Sequence, residues 1–340
     1  MFLSKQSKGL TSIVASAAQR SVHNNHQKVL QSLSKNVITA EYAVRGQIPL
    51  RGEEITKQLQ YGDTTHYQFA QTTALNIGNP QAVGQGTITF NRQVISGMLN
   101  QDLLETDAIS EDAKNRCREF IQNCKSPPGA YTSNSKGWSF VRKSVAEFIK
   151  ERDGIEDVDP DDIYLTNGAS EGVRIAFRTL IRNPNDGILV PIPQYPLYSA
   201  LLTLDNGELL AYYLDEEKNW ALDAEALEAK ILKAYKSGIT PRAIVVINPG
   251  NPTGQVMERS NLEEIVRLCY EHNIVILADE VYQQNVYKEG KEFVSLRRVL
   301  HEMGEPYSSE VEMISVNSIS KGLLGECGLR GGYFETVNMS

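Results

Sequence analysis

Ala243-Ile-Val-Val-Ile-Asn-Pro-Gly-Asn-Pro-Thr-Gly254, followed one helix length later by Ile274-Val-Ile-Leu-Ala-Asp-Glu280, is the stretch whose reading decides the fold. Both apolar runs lack polar alternation, so each reads as a strand buried on its two faces, the habit of a mainly parallel sheet. Between them Ser260–His272 carries a helical pattern, with Ser260 and Glu263 spaced as a capping box. Strand, helix and strand in that order make a βαβ unit. The same alternation extends outward on both sides. Ile163–Thr166, Gly187–Val190, Leu209–Leu214, Met313–Val316 and Gly332–Phe334 read as further strands, and Ser170–Leu180, Tyr198–Leu204 and Asp223–Lys236 as helices between them. The expected class is α/β: a doubly wound, mainly parallel, seven-stranded sheet with its site at the strand carboxyl ends.

Before Asp161 the texture differs. Phe90–Leu104 and Ser110–Asn123 read as helices, the second N-capped by Ser110 with Glu111 and Asp112 in its first turn. A third helix follows Gly137, where Trp138, Val141, Val145, Phe148 and Ile149 keep the 3.6-residue period of a core-facing stripe. Ala74-Leu-Asn-Ile-Gly-Asn-Pro80 reads either as backbone brought close to a ligand or as a surface turn.

Composition sets the class of partner. The chain has 340 residues, 41% hydrophobic and 22% charged, with a formal charge of −8. That balance, without a Lys/Arg stripe, argues against nucleic acid. No apolar run approaches the ~18 residues of a membrane span. Cys117, Cys124, Cys269 and Cys327 show neither CxxC nor zinc-ligand spacing and read as thiols of a reducing compartment. The charge is uneven: residues 1–40 hold five Lys or Arg and no acid, +5 against the total of −8, so the remainder carries −13. Leu10, Ile13, Val14 and Ala17 fall on one helical face of this basic stretch. Its composition reads as a mitochondrial transit segment, or else as a basic tail on a cytoplasmic protein.

Chemistry-bearing residues gather at the strand ends. Thr166-Asn-Gly-Ala-Ser-Glu-Gly172 is a strand-to-helix turn in which Gly168, Ala169 and Ser170 offer N–H groups, a hydroxyl and a helix N-terminus to a phosphate, although an ordinary cap would read alike. Tyr195 could cover a flat ring, and the Pro/Gly turn after Ala243–Ile247 could aim the Asn251 amide. Asp279 ends an apolar strand and must be desolvated unless paired. In that position it could keep a heterocyclic nitrogen protonated, with Tyr282 beside it. Ser315-Val-Asn-Ser-Ile-Ser-Lys-Gly322 delivers Lys321 from a strand end as an amine nucleophile, and Arg330 could fork onto a phosphate. Phosphate cradle, aromatic cover, amide donor, carboxylate and lysine together are what pyridoxal 5′-phosphate requires.

In order and spacing these blocks resemble the fold-type-I pyridoxal-phosphate aminotransferases from about Ala74 onward. Leu75-Asn-Ile-Gly-Asn-Pro-Gln-Ala-Val-Gly84, Gly129-Ala-Tyr-Thr-Ser-Asn-Ser-Lys-Gly137, Asn167-Gly-Ala-Ser170 and Asp279-Glu-Val-Tyr282 carry the resemblance. Gly325-Glu-Cys-Gly-Leu-Arg-Gly-Gly-Tyr333 points to the alanine branch. The resemblance implies that Lys321 bonds the cofactor aldehyde and then moves the proton, and that Asp279 pairs with the ring nitrogen. Asn251 and Tyr282 would bond the phenolic oxygen, Tyr195 would stack, and Ala169, Ser170, Ser318 and Arg330 would hold the phosphate. It also implies that Tyr131 reaches a neighbouring subunit's phosphate, hence a homodimer.

The implied reaction moves the amino group of L-alanine to 2-oxoglutarate by a ping-pong mechanism. The alternatives are a glutamate:glyoxylate aminotransferase and a truncated, impaired cofactor-binding protein. The implied domains are a transit segment over 1–40, an N-terminal part of a small domain with dimer contacts over 41–125, and a large cofactor domain over 126–340. The small domain of the resembled enzymes continues beyond the position of Ser340 and supplies an arginine for the substrate carboxylate.

Overall fold

The computed structural model describes residues 32–42, 44, 46–62, 66–124 and 128–339. The amphipathic face through Leu10 and Ala17 therefore lies outside the described residues. The chain divides into two units between Glu41 and Tyr42. The described part of the first carries one short helix, α1 (Lys35–Thr39).

The second unit is built on one sheet. Its strands are β1 (Ile163–Thr166), β2 (Asp186–Ile192), β3 (Glu208–Tyr213), β4 (Thr240–Ile247), β5 (Val275–Asp279), β6 (Met313–Ser318) and β7 (Gly332–Val337), ordered β1-β7-β6-β5-β4-β2-β3. Every pairing from β6 through β3 is parallel, and β7 alone runs antiparallel, between β1 and β6. The alternation of the strands sorts the core into two layers. Ala243, Val245 and Ile247 of β4 pack with Val173 and Phe177 of α6 (Ala169–Leu180) and with Tyr198 and Leu201 of α7 (Leu197–Asp205). Ile244 and Val246 face the opposite layer, which holds Leu227 and Ile231 of α8 (Ala224–Lys236), Leu262 and Val266 of α9 (Arg259–His272), and Val299 of α10 (Leu296–Met303). Helices on both faces explain why the run Ala243–Ile247 of β4 is apolar throughout. A short α11 (Tyr307–Glu310) precedes β6.

Ahead of the sheet come α2 (Gln47–Gln60), α3 (Thr89–Leu99), α4 (Glu111–Cys124) and α5 (Ser139–Asp153). Three sequence expectations change here. The single helix expected over Phe90–Leu104 stops at Leu99, because Asn100 turns extended (φ −133°), and resumes as a 3₁₀ turn over Gln101–Glu105. The capping box fails: α9 begins at Arg259, so Ser260 is already inside the helix, and the Glu263 carboxylate is taken by Arg259 and Arg267. The core face of α5 is rotated from the expected stripe. Arg142, Ala146, Ile149 and Asp153 are buried while Phe148 is exposed. The two charged residues tolerate burial because they are paired: Arg142 donates to Gly137 O and to the Asp161 carboxylate, and Asp153 accepts from Arg152 and Ser295.

Candidate active site

At the carboxyl ends of β4, β5 and β6, facing the start of α6, lies a cavity of ≈ 210 Å³. Its walls include Ala169, Ser170, Tyr195, Asn251, Asp279, Tyr282, Ser318, Lys321 and Arg330, nearly all the residues that the sequence nominates.

Asp279 closes β5, between Ile247 of β4 and Val316 of β6, and is 8% exposed. Burial raises its pKa. The Tyr198 hydroxyl, the Val281 N–H (3.4 Å) and the charge of Lys321 act in the opposite direction. The principal partner of this carboxylate within the chain is thus a phenol rather than a cation. Tyr198 is fully buried in the first turn of α7, and its own pKa is driven far up by burial and by Asp279.

Lys321 follows β6. Ile319 N donates to Gly331 O (3.1 Å) and Gly322 N to Asn285 Oδ1 (3.0 Å), which pins the turn on both sides. Lys321 Nζ stands 5.3 Å from the centre of the Tyr282 ring. The Tyr282 hydroxyl accepts from Asn251 Nδ2 at 3.4 Å. Asn251 is aimed by a turn that Gly250 N to Gln255 O (2.8 Å) and Met257 N to Asn248 Oδ1 (3.0 Å) hold in place. Tyr195 shares a 2.6 Å hydrogen bond with Tyr42, and burial with that bond raises its pKa.

The opposite end of the cavity suits an anion. Gly168 caps α6 at φ 90°, where a Cβ would strike the Arg330 guanidinium at 2.5 Å, so the turn exists because this residue is glycine. The first N–H groups of α6 have no helical acceptor, and the helix dipole is positive there. Arg330 is held by carbonyls, donating to Cys327 O (2.9 Å) and Asn167 O (3.1 Å). The Ser318 hydroxyl accepts from Ser320 N (3.3 Å).

Two nominated residues stand apart. Gly168 supports the cradle from behind rather than lining it. Tyr131 is 94% exposed and lies outside the cavity of its own chain. Conversely, Tyr198 and Tyr42 escape the sequence reading. Tyr198 lies three residues after Tyr195, a spacing that could have flagged it. Tyr42 carries no local signal. Ile77 and Gly78 of the Ala74–Pro80 loop also line the cavity, while the loop itself is exposed, Leu75 at 89%, as a surface turn would be.

The donor set and the fold together define a class. The chain belongs to the aminotransferase class I and II family, which it matches over residues 102–338. Among its relatives, a Dictyostelium discoideum protein named "Probable alanine aminotransferase, mitochondrial" is 48% identical over 91% of this chain and 59% of the relative. Glutamate–glyoxylate aminotransferase 1 of Arabidopsis thaliana is 46% identical over 91% of this chain and 62% of its own. The solved alanine aminotransferase from Pyrococcus furiosus superposes with a TM-score of 0.68 at 27% identity, covering 90% of this chain and 63% of that one. The chain spans about three fifths of the length of these relatives.

Pyridoxal phosphate, the cofactor of this family, fits the site on the chain's own chemistry. There is a helix start with a guanidinium for the phosphate, a buried carboxylate for a ring nitrogen, an amide–phenol pair for a ring oxygen, and a lysine amine at the end of β6.

Proposed function

We propose that this chain is that of a transaminase that moves the amino group of L-alanine to 2-oxoglutarate. The observation that carries the reading is one cavity joining Asp279, Lys321 and the start of α6.

When bound, pyridoxal phosphate supplies an electron sink for the carbanion formed at the substrate α-carbon. Lys321 would hold the cofactor aldehyde until the substrate amine displaces it, and as the freed amine it would take and return the substrate α-proton. Asp279 keeps the ring nitrogen protonated, since a buried carboxylate favours a cationic partner over standing alone. Asn251 and Tyr282 would orient the phenolic oxygen, and Tyr195 would cover the ring. Gly168, Ala169, Ser170, Ser318 and Arg330 fix the phosphate end. Together they hold the reacting atoms in register, the source of much of the acceleration in an oriented reaction.

The assembly we propose is a homodimer in which Tyr131, exposed here, reaches the neighbouring subunit's phosphate. The domain plan remains a leader over 1–40, an N-terminal segment of the small domain over 41–125 and the cofactor domain from 126. Among the described residues no helix is long and apolar enough to cross a membrane. A mitochondrial setting is supported by the basic, acid-free stretch 1–40 and by the name of one relative; a cytoplasmic setting is the alternative.

The glutamate:glyoxylate reaction is a second reading, favoured by the 46% identity to the Arabidopsis enzyme. The test is spectral. Purified chain loaded with pyridoxal phosphate should lose its visible absorbance on addition of L-alanine, and acceptor assays with 2-oxoglutarate and glyoxylate separate the two reactions. A band indifferent to every amino acid tried would leave only cofactor binding.

A further inference from the structure

Glu326 is 3% exposed, yet it belongs to neither core layer; it sits in the loop that carries both Lys321 and Arg330. We propose that Glu326 is a positioning residue for this site, a latch holding the strip 76–86 down at the cavity edge against that loop. The strip matters because its Ile77 and Gly78 line the cavity.

The latch is built from three elements that meet at one oxygen. Pro80–Val83 forms a 3₁₀ turn capped by Asn79, whose side chain accepts from Ala82 N at 3.3 Å. The turn points Gln81 at the loop, where Nε2 reaches Glu326 Oε2 at 3.1 Å and Gly325 O at 3.5 Å. Arg92 of α3 donates to the same Oε2 at 2.7 Å. The strip, the helix after it and the lysine loop thus share a single carboxylate oxygen. Glu326 Oε1 and Arg92 Nε are both shielded from solvent without a partner among the described residues. A carboxylate this buried depends on the few donors it has, so removing its charge releases what those donors hold. The release stays local. Arg92 is 40% exposed and can be rehydrated, and the loop keeps its own backbone bonds, Glu326 N to Ile319 O (2.9 Å) and Leu329 N to Glu326 O (3.1 Å).

The latch stands on geometry alone; its effect on cofactor retention rests on the function proposed above. The experiment is hydrogen exchange on the full chain, comparing wild type with Glu326→Gln and Gln81→Ala, beside a pyridoxal-phosphate titration followed by absorbance. Glu326→Gln keeps the shape and removes the charge. Gln81→Ala frees the strip and leaves the Arg92 pair intact, so it decides the matter should the first variant fold poorly. Both should accelerate exchange across 76–86 on the order of tenfold and hasten cofactor dissociation, with β4, β5 and the unfolding midpoint unmoved. Unchanged exchange across 76–86 in both variants, or acceleration spread through the sheet, overturns the latch. Local acceleration in a chain that takes up no pyridoxal phosphate keeps the latch and removes the cofactor reading. Cofactor uptake with an unmoved strip does the reverse.

Discussion

The hydroxyl of Tyr198 donates to Oδ2 of Asp279, joining the first turn of α7 to the end of β5 in the floor of the cavity. The bond opposes the effect of burial on Asp279, as do the Val281 N–H and the charge of Lys321, and so favours the ionised carboxylate. Tyr198→Phe should therefore raise the Asp279 pKa further. The expected loss is about 1–3 kcal/mol, the penalty for leaving a buried charged acceptor short of a donor. Stopped-flow measurement of the L-alanine half-reaction should show a fall on the order of tenfold, with the cofactor still bound. A wild-type rate would mean that the bond does not tune Asp279.

Asp279→Asn goes a step further. An amide cannot stabilise a protonated ring nitrogen, so the variant should retain cofactor and lose on the order of 10²-fold in the same half-reaction. Near-normal rates in Asp279→Asn would place the ring nitrogen elsewhere.

Glu280, the next residue, is buried to 1% exposure and gives a pH prediction. Burial pushes its pKa up to about 7; Arg152 at 3.8 Å and the Leu296 N–H at 2.8 Å only partly offset this. The folded pKa lies above the unfolded one, so the unfolded chain releases this proton first as pH rises. Stability from Glu280 is complete below about 4.5 and is lost as pH climbs through 7, on the order of 3 kcal/mol in all. Urea midpoints of wild type should fall across that window relative to Glu280→Gln. Parallel curves for the two proteins contradict the assignment.

How much of this was legible beforehand depended on whether the cause was local. The central strands announced themselves because burial on both faces strips them of polar residues, as in Ala243–Ile247. The strand-end residues Asp279, Lys321 and Asn251 were legible because each follows such a run directly. Burial of Arg142 and Asp153 was not, since their distant partners Asp161 and Ser295 meet them only once α5 docks on the sheet. The same holds for Tyr42, which meets Tyr195 across 153 positions of sequence. Ser260 misled because a capping box is a pattern of two residue types, and the chain entered the helix two residues too early to use it.

The segment 1–40 should carry a fused fluorescent reporter to mitochondria if its basic, acid-free composition is a leader. A reporter that stays diffuse in the cytosol leaves the basic-tail reading in place.

If Lys321 holds the cofactor, borohydride reduction of the loaded chain, followed by proteolysis and mass mapping, should reveal it. A single reduced pyridoxyl label is expected on Lys321, absent from a Lys321→Ala variant that still unfolds at the wild-type midpoint. Label on another lysine, or equal labelling of the variant, would contradict it.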